Sequence, residues 1–241
     1  MAEVQASPMD KNAPLAFTVL RVPFFLEPNY AEDETWTESN RDRLVRKWGG
    51  QAGWEAQKQR HNLKGRGQEV GIEKFNLDRR ASSTLASHRL VQWVTRTRGV
   101  AIAEALYGRL NYQHFEEGKA LNNHKLLVAT AEEVGVPAAD AEAFLASGEG
   151  REQIEEATKI LRALGVQSIP TFIVGGDRVV GGAAHSDNFV HAFREIEATG
   201  EGAPGSLFAE ALQIPAEVME STLPPPEQHP DIRPQQMAAS A

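Results

Sequence analysis

The chain contains no cysteine in its 241 residues. Structural disulfides and zinc-thiolate sites are therefore excluded, and the absence of cysteine favours an intracellular, cytoplasmic location. No apolar run approaches the roughly 18 residues that a membrane span needs. The stretch Met1–Pro14 is polar and lacks the apolar segment of a signal peptide, so we expect no secretory leader.

Basic residues are outnumbered, with 25 Lys and Arg against 33 Asp and Glu. The net charge of −8 argues against a nucleic acid or an anionic membrane as a partner. The hydrophobic content of 41% is ordinary for a globular protein. A chain of this length buries about 70–75% of its unfolded surface, so it can form a core without crosslinks. The sequence leaves the oligomeric state open.

The hydrophobic pattern divides the chain into three parts. We expect residues 1–14 to be a disordered leader, residues 15–198 to be the folded domain, and residues 199–241 to be a linker with a mostly disordered tail. The domain begins with a predicted strand at Leu15–Val22, where β-branched and aromatic residues are frequent. From about residue 37 to residue 165 the pattern is helical, which indicates a large helical insertion.

A β-hairpin is predicted after the helical block, with strands at Thr171–Val174 and Arg178–Val180. A helix follows from about Ser186 to Ala198, with Ser186 or Asp187 as its N-cap. Two short helices are predicted in the tail, at Ser206–Gln213 and Ala216–Ser221. The order of strand, helical block, hairpin and helix indicates an α/β fold, because crossover connections between parallel strands are long.

Pro170 stands at the first position of the predicted hairpin, shortly after a helix that ends near Gly165. A proline there cannot donate a ladder hydrogen bond, so it belongs at a sheet edge or has a special bond geometry. The Ile169–Pro170 bond is accordingly a candidate for the cis form, which occurs mainly before proline.

Four collinear stretches between about residues 15 and 198 resemble the FrnE-like branch of the DsbA family of thioredoxin-fold proteins. They are residues 21–29 (RVPFFLEPN), 83–90 (STLASHRL), 107–118 (YGRLNYQHFEEG), and 164–172 (LGVQSIPTF) with 181–183 (GGA). The resemblance implies a thioredoxin-like α/β fold with a helical insertion, in which Pro170 lies in a cis-proline loop. It also implies descent from thiol-disulfide oxidoreductases.

Members of that family open with a strand and a Cys-Pro-Trp-Cys motif at the start of the first helix. This sequence begins where the family's second strand begins, so we expect the first strand and first helix to be absent. We consider three explanations: an incomplete gene product, a short or degenerate relative without redox activity, and a glutathione-related member that works without cysteine. The kappa-class glutathione transferases and 2-hydroxychromene-2-carboxylate isomerases are examples of the last kind.

The resemblance implies a substrate-binding site at Ile169, Pro170 and Thr171, with Phe24 beside it. In the family, the residue before the cis-proline offers backbone hydrogen bonds to a peptide or thiol substrate, or to glutathione. We expect no catalytic residue and no metal, because a chain without a thiol cannot catalyse disulfide exchange. The alternatives are a non-catalytic module that binds peptide or glutathione, and a glutathione-dependent isomerase or transferase.

Three histidines suggest other sites, and each has a structural explanation that we favour. His88 falls on or beside an apolar helix face, where a hydrogen-bonded structural histidine is expected. His114 is close to Glu116 and Glu117, but residues one or two positions apart on a helix do not face each other. His185 stands beside Ser186 and Asp187 at a helix start, which indicates capping rather than a catalytic triad.

Overall fold

The structure, a computed structural model, describes residues 1–69, 71–176, 178–202 and 207–220. These residues form two compact units. Unit 1 contains residues 1–26, 92–103 and the described residues from 148 onward, and unit 2 contains the described residues of 27–91 and 104–147. Within the described ranges, every helix is too short or too polar to cross a membrane.

Helices dominate both units, and the strands are short. The elements are α1 (Ala2–Ala6), β1 (Glu38–Ser39), α2 (Asn40–Lys47), α3 (Gln51–His61), α4 (Leu63–Glu69), β2 (Arg80–Ala81), α5 (Leu85–Arg98), α6 (Val100–Phe115), α7 (His124–Glu133), α8 (Ala138–Ala146), α9 (Arg151–Ala163), β3 (Thr171–Val174), β4 (Arg178–Gly181), α10 (Ser186–Thr199), α11 (Leu207–Ala211) and α12 (Ala216–Met219). The helix-rich α/β class matches the expectation from the sequence, and α2 to α9 occupy the predicted helical block.

Local side-chain chemistry explains where several helices begin. The Ser39 hydroxyl accepts a hydrogen bond from the Asp42 N–H at 3.4 Å, and the Asn123 side chain accepts one from the Leu126 N–H at 3.0 Å. Each contact satisfies one of the amide groups that a helix start leaves unpaired. At the start of α10 this position is taken by His185, not by Ser186 or Asp187 as the sequence predicted.

The predicted strand at Leu15–Val22 is not a strand in the structure. Residues 15–22 have no regular secondary structure and no ladder partner among the described residues. The Gln92 side chain instead donates to the Arg21 carbonyl oxygen at 2.6 Å. Residue composition can favour an extended backbone, but a strand exists only where a distant segment pairs with it.

The start of the chain differs from the expectation of disorder, whereas the two short helices of the tail were predicted. Helix α1 forms within residues 1–14, where Val4 is buried, and the Met9 N–H donates to Glu197 Oε1 at 2.8 Å. In the tail, α11 and α12 bury Phe208 and Val218. Tertiary contacts order these segments although their sequences are short and polar. Residues 203–206 and 221–241 lie outside the described residues.

The core of unit 1 is built on helix α9. Its buried face joins α11, α12 and the start of α6 in one hydrophobic cluster, whose fully packed members are Val100, Ala157, Leu161, Phe208, Leu212, Ile214 and Val218. Val19, Val22 and Phe24 pack against this cluster as partly buried side chains. The cluster thus holds residues 15–24 in place by hydrophobic contact.

A row of four aromatic rings forms a second set of contacts in unit 1, which we call the aromatic row: Phe17, Phe193, Phe189 and Phe172. Phe17 meets Phe193 edge-on with ring centroids 4.9 Å apart, and Phe172 meets Phe189 in the same way at 4.8 Å. Phe189 and Phe193 are neighbours on α10, 6.4 Å apart. Helix α10 therefore connects residues 15–22 to the β3–β4 hairpin through side chains.

Unit 2 is held by buried polar groups as well as by apolar ones. Arg89, on α5, donates to the Ser147 carbonyl oxygen at 2.6 Å and to the Phe144 carbonyl oxygen at 3.3 Å. These carbonyls lie at the end of α8, where a cation also offsets the negative end of the helix dipole. The amide of Asn122 donates to the Asp33 and Trp36 carbonyl oxygens at 2.7 and 2.8 Å and so fixes the loop before β1.

We predict that Phe17→Ala lowers the free energy of unfolding by about 3 kcal/mol, because removal of a buried ring leaves a cavity and breaks the aromatic row. Urea unfolding followed by circular dichroism measures this change. Val179→Ala, at a side chain that is 65% exposed, is the control and should cost less than about 0.5 kcal/mol. Equal losses in the two variants would show that the aromatic row does not support unit 1.

Candidate functional site

The loop before β3 begins with a defined stop of helix α9. Gly165 has a φ of 71°, a left-handed conformation that favours glycine. Its N–H donates to the Arg162 carbonyl oxygen at 3.0 Å, and the Val166 N–H donates to the Leu161 carbonyl oxygen at 3.0 Å. This pair of bonds is the Schellman motif. The motif ends the helix and directs the chain toward Ile169.

The Ile169–Pro170 peptide bond is cis. The Pro170 carbonyl oxygen accepts a hydrogen bond from the Gly182 N–H at 2.8 Å, and the Thr171 hydroxyl donates to the Ser168 carbonyl oxygen at 2.8 Å. These contacts fix the loop on both sides of Ile169. The N–H and C=O of Ile169 itself have no hydrogen-bond partner among the described residues.

Strand β3 presents apolar side chains and one open edge next to this loop. It pairs antiparallel with β4, from Thr171 opposite Gly181 to Val174 opposite Arg178, and with no other strand in the described part of the chain. Phe172 and Ile173, which point to opposite faces of the hairpin, are each 37% exposed, and Ile169 is 50% exposed. The loop and strand together form a surface with apolar side chains and unpaired backbone groups.

The predicted site residues are only partly brought together. Ile169, Pro170 and Thr171 are contiguous and form the loop. Phe24 packs against the core cluster of unit 1, as does Val166 just before the loop, and its place in the site stays a prediction. Ile173 and the edge of β3 are additions that the sequence analysis missed. The run of apolar residues in the first strand of the predicted hairpin was the sequence signal that could have indicated this surface.

His185 and His114 have structural contacts, as the sequence analysis favoured, and the expectation for His88 stays a prediction. His185 caps α10, with Nδ1 accepting from the Asp187 N–H at 3.4 Å. His114 is half-buried in unit 2, with Nδ1 2.9 Å from the Lys119 carbonyl oxygen and Nε2 accepting from Arg79 Nε at 3.1 Å. The Nδ1 atom therefore carries the proton of a neutral ring. No cluster of three or more His, Asp or Glu side chains suited to a metal ion occurs in the described ranges.

Burial lowers the pKa of His114 to about 4. The Lys119 carbonyl opposes this shift, and the positive charges of Arg79 and Arg43 add to it. A protonated His114 could no longer accept the hydrogen bond from Arg79 and would place a third positive charge beside the two arginines. The ring therefore acts as a neutral hydrogen-bond acceptor.

Residues 31–194 match the sequence model of the DSBA-like thioredoxin domain family, about two thirds of the chain. Among solved structures, a probable DsbA oxidoreductase from Streptomyces coelicolor is similar, with a TM-score of 0.64 and 26% sequence identity. The similarity covers 76% of this chain and 76% of that chain. No curated protein matches the chain at a significant level. The family match includes Ile169, Pro170 and Thr171 and leaves Phe24 outside.

The low pKa of His114 predicts a pH-dependent loss of stability. The pKa in the unfolded chain is near 6.5, so the unfolded state binds more protons than the folded state once the pH falls below that value. The free energy of unfolding should therefore decrease from about pH 6.5 to pH 4, by roughly 3 kcal/mol from this group. Above pH 6.5 the contribution is constant.

Urea unfolding of wild type and His114→Gln at a series of pH values measures the effect. The variant should lose the part of the pH dependence that comes from His114, because glutamine does not titrate. His191→Gln, at an exposed position on α10, is the matched control and should keep the wild-type profile. Identical profiles for wild type and His114→Gln would contradict the prediction.

Proposed function

The chain belongs to the DSBA-like thioredoxin domain family, and we propose that it is a redox-inactive member that binds an extended peptide beside the cis-proline loop. The thioredoxin-like fold class expected from the sequence is confirmed by the family match and by the similar solved structure. The lack of redox activity and the binding of a peptide are proposals.

The absence of cysteine supports a function without redox chemistry. Thiol-disulfide exchange requires a thiolate that attacks a disulfide sulfur, and these 241 residues contain no thiol. The similar protein from Streptomyces coelicolor is described as a probable oxidoreductase, which supports the lineage rather than the same activity in this chain. We therefore assign the chain no catalytic residue.

The unpaired backbone of Ile169 is the observation that carries the binding proposal. Within the described ranges its N–H and C=O have no partner, and β3 continues from it with an open edge. An extended peptide can add to such an edge through main-chain hydrogen bonds, while its side chains contact the apolar surface. Ile169, Phe172 and Ile173 supply that surface, and Pro170 and Thr171 fix the loop.

Phe24 is the fourth residue of the predicted site. Its side chain is partly buried against the hydrophobic cluster of unit 1, as is that of Val166 just before the loop. Its contact with the peptide stays a prediction.

The competing ligand is glutathione, as in a glutathione-dependent isomerase or transferase of the same superfamily. Its short peptide backbone could use the same Ile169 groups. Stabilisation against heat by millimolar glutathione would favour this alternative, since a ligand that binds only the folded state raises the melting temperature. No shift at that concentration would remove it.

We predict that the purified chain does not catalyse reduction of insulin by dithiothreitol. The expected rate equals that of dithiothreitol alone, because the chain has no thiol to form a mixed disulfide. The turbidity of the precipitating insulin chains measures the rate. Any acceleration that scales with the protein concentration would overturn the claim of redox inactivity.

The binding proposal is tested with a fluorescent, fully alkylated insulin B chain as the extended peptide probe. Fluorescence anisotropy should show saturable binding to wild type and at least tenfold weaker binding to Ile169→Asp, which places a charge beside the open edge. Leu207→Asp makes the same change at an exposed apolar residue of α11 and should bind like wild type. Equal affinity for wild type and Ile169→Asp would show that the loop is not the binding site.

A further inference from the structure

Positive charge is concentrated in one segment of this acidic protein. Residues 40–80 contain eleven Lys and Arg against five Asp and Glu, a net charge of +6 in a chain whose total is −8. The remaining residues therefore carry a net charge of −14. The whole segment belongs to unit 2. Such a local excess produces a positive potential that the net charge of the protein conceals.

Arg79 lies within this segment and has only neutral hydrogen-bond partners among the described residues. Its Nε donates to His114 Nε2 at 3.1 Å, and its Nη1 donates to the Asn76 carbonyl oxygen at 3.2 Å. The guanidinium lies over the rings of Phe115 and Phe75, 4.9 and 5.8 Å from the centroids. No Asp or Glu of the described residues pairs with it. The group is thus held in a fixed orientation with donor capacity remaining.

A second arginine is coupled to the first through Asn40. The Asn40 N–H donates to the Arg79 carbonyl oxygen at 3.0 Å, and Arg43 Nη1 donates to Asn40 Oδ1 at 3.3 Å. Arg43 is only 9% exposed, and its Nε is paired with Glu27 Oε1 at 2.7 Å. Arg43 is thus compensated by Glu27 and, at longer range, by Glu38, whereas Arg79 has no carboxylate partner among the described residues.

The pKa values of Arg79 and His114 are both lowered, in part by positive charge nearby. Burial, together with repulsion from Arg43, lowers the pKa of Arg79 to about 10. The same positive surroundings contribute to the low pKa of His114, which keeps its ring neutral. Arg79 is half-buried, and its remaining N–H groups are not among the buried unpaired atoms, so an anion can reach them and would offset the repulsion between Arg79 and Arg43.

We propose that Arg79, coupled to Arg43 through Asn40, is the centre of a binding site for a small oxyanion, either a carboxylate or a phosphate. A guanidinium presents its N–H donors in a planar fork that matches two oxygens of such a group. The rings of Phe75 and Phe115 orient this fork, and neutral His114 holds Nε without neutralising the charge. The site lies wholly in unit 2 and is independent of the peptide surface at Ile169.

The test compares two probes with chloride at equal ionic strength and pH 7. Sodium phosphate and sodium succinate are titrated into the wild-type chain by calorimetry, and their effects on the melting temperature are recorded. Saturable binding of phosphate alone would identify a phosphate site, and saturable binding of succinate alone would identify a carboxylate site. No saturable effect of either probe relative to chloride would overturn the proposal.

Variants then locate the site. Arg79→Gln should weaken binding of the effective probe at least tenfold, and Arg79→Lys should weaken it less, because lysine keeps the charge but not the fork. Arg66→Gln removes one charge from an exposed position of the same segment and should stay within twofold of wild type. Equal weakening by Arg66→Gln would show a diffuse charge effect and would overturn the assignment to Arg79.

A measurement on the wild-type chain keeps the test valid if the Arg79 variants do not fold. The ring signals of His114 in a nuclear magnetic resonance titration should shift with the same saturation curve as the calorimetric binding, because Nε2 contacts Arg79 directly. Saturable binding that leaves these signals unchanged would place the anion elsewhere and overturn the assignment.

Discussion

Edge-on packing of Phe17 against Phe193 and the hydrophobic cluster around α9 together hold the described part of unit 1. Residues 15–22 have no ladder partner there, so side-chain contacts set their position. Phe193 belongs to α10, and the same helix carries Phe189, which contacts Phe172 on β3. Since hydrophobic contacts do not satisfy backbone polar groups, the Gln92 side chain supplies a hydrogen bond to the Arg21 carbonyl oxygen.

The contact between α10 and the hairpin leaves the proposed peptide surface open. Helix α10 holds the hairpin through Phe172, while the edge of β3 and the backbone of Ile169 keep their hydrogen-bonding capacity. An open edge beside apolar side chains is a hazard in a monomer, because it can pair with another chain. An extended peptide ligand would form hydrogen bonds with the same backbone groups. The surface is thus consistent with binding and needs no thiol.

Unit 2 places two arginines, Arg43 and Arg89, at buried positions and a third, Arg79, at a half-buried one. Arg89 is matched by carbonyl oxygens at the end of α8, and Arg43 is paired with Glu27. Within the described ranges, Arg79 has only a neutral imidazole, a carbonyl oxygen and two aromatic rings around it. It is the one at which we place an external anion.

Local patterns in the sequence determined much of this protein. The apolar period located the helical block and α9, Gly165 marked the end of that helix, and the residues around Pro170 located the loop and the β-hairpin. The lack of cysteine by itself excludes thiol chemistry in these 241 residues. These inferences succeed because helix periodicity, glycine conformation and residue chemistry depend on the nearest few residues.

Only the tertiary structure decided which segments pair and which charges are compensated. Residues 15–22 have the composition of a strand but no partner among the described residues, while the polar start is ordered by burial of Val4. Phe24 packs against the core cluster, and Arg79 contacts His114 across 35 positions of sequence. Strand pairing, burial and charge compensation are contacts between distant residues, and no local pattern in the sequence specifies them.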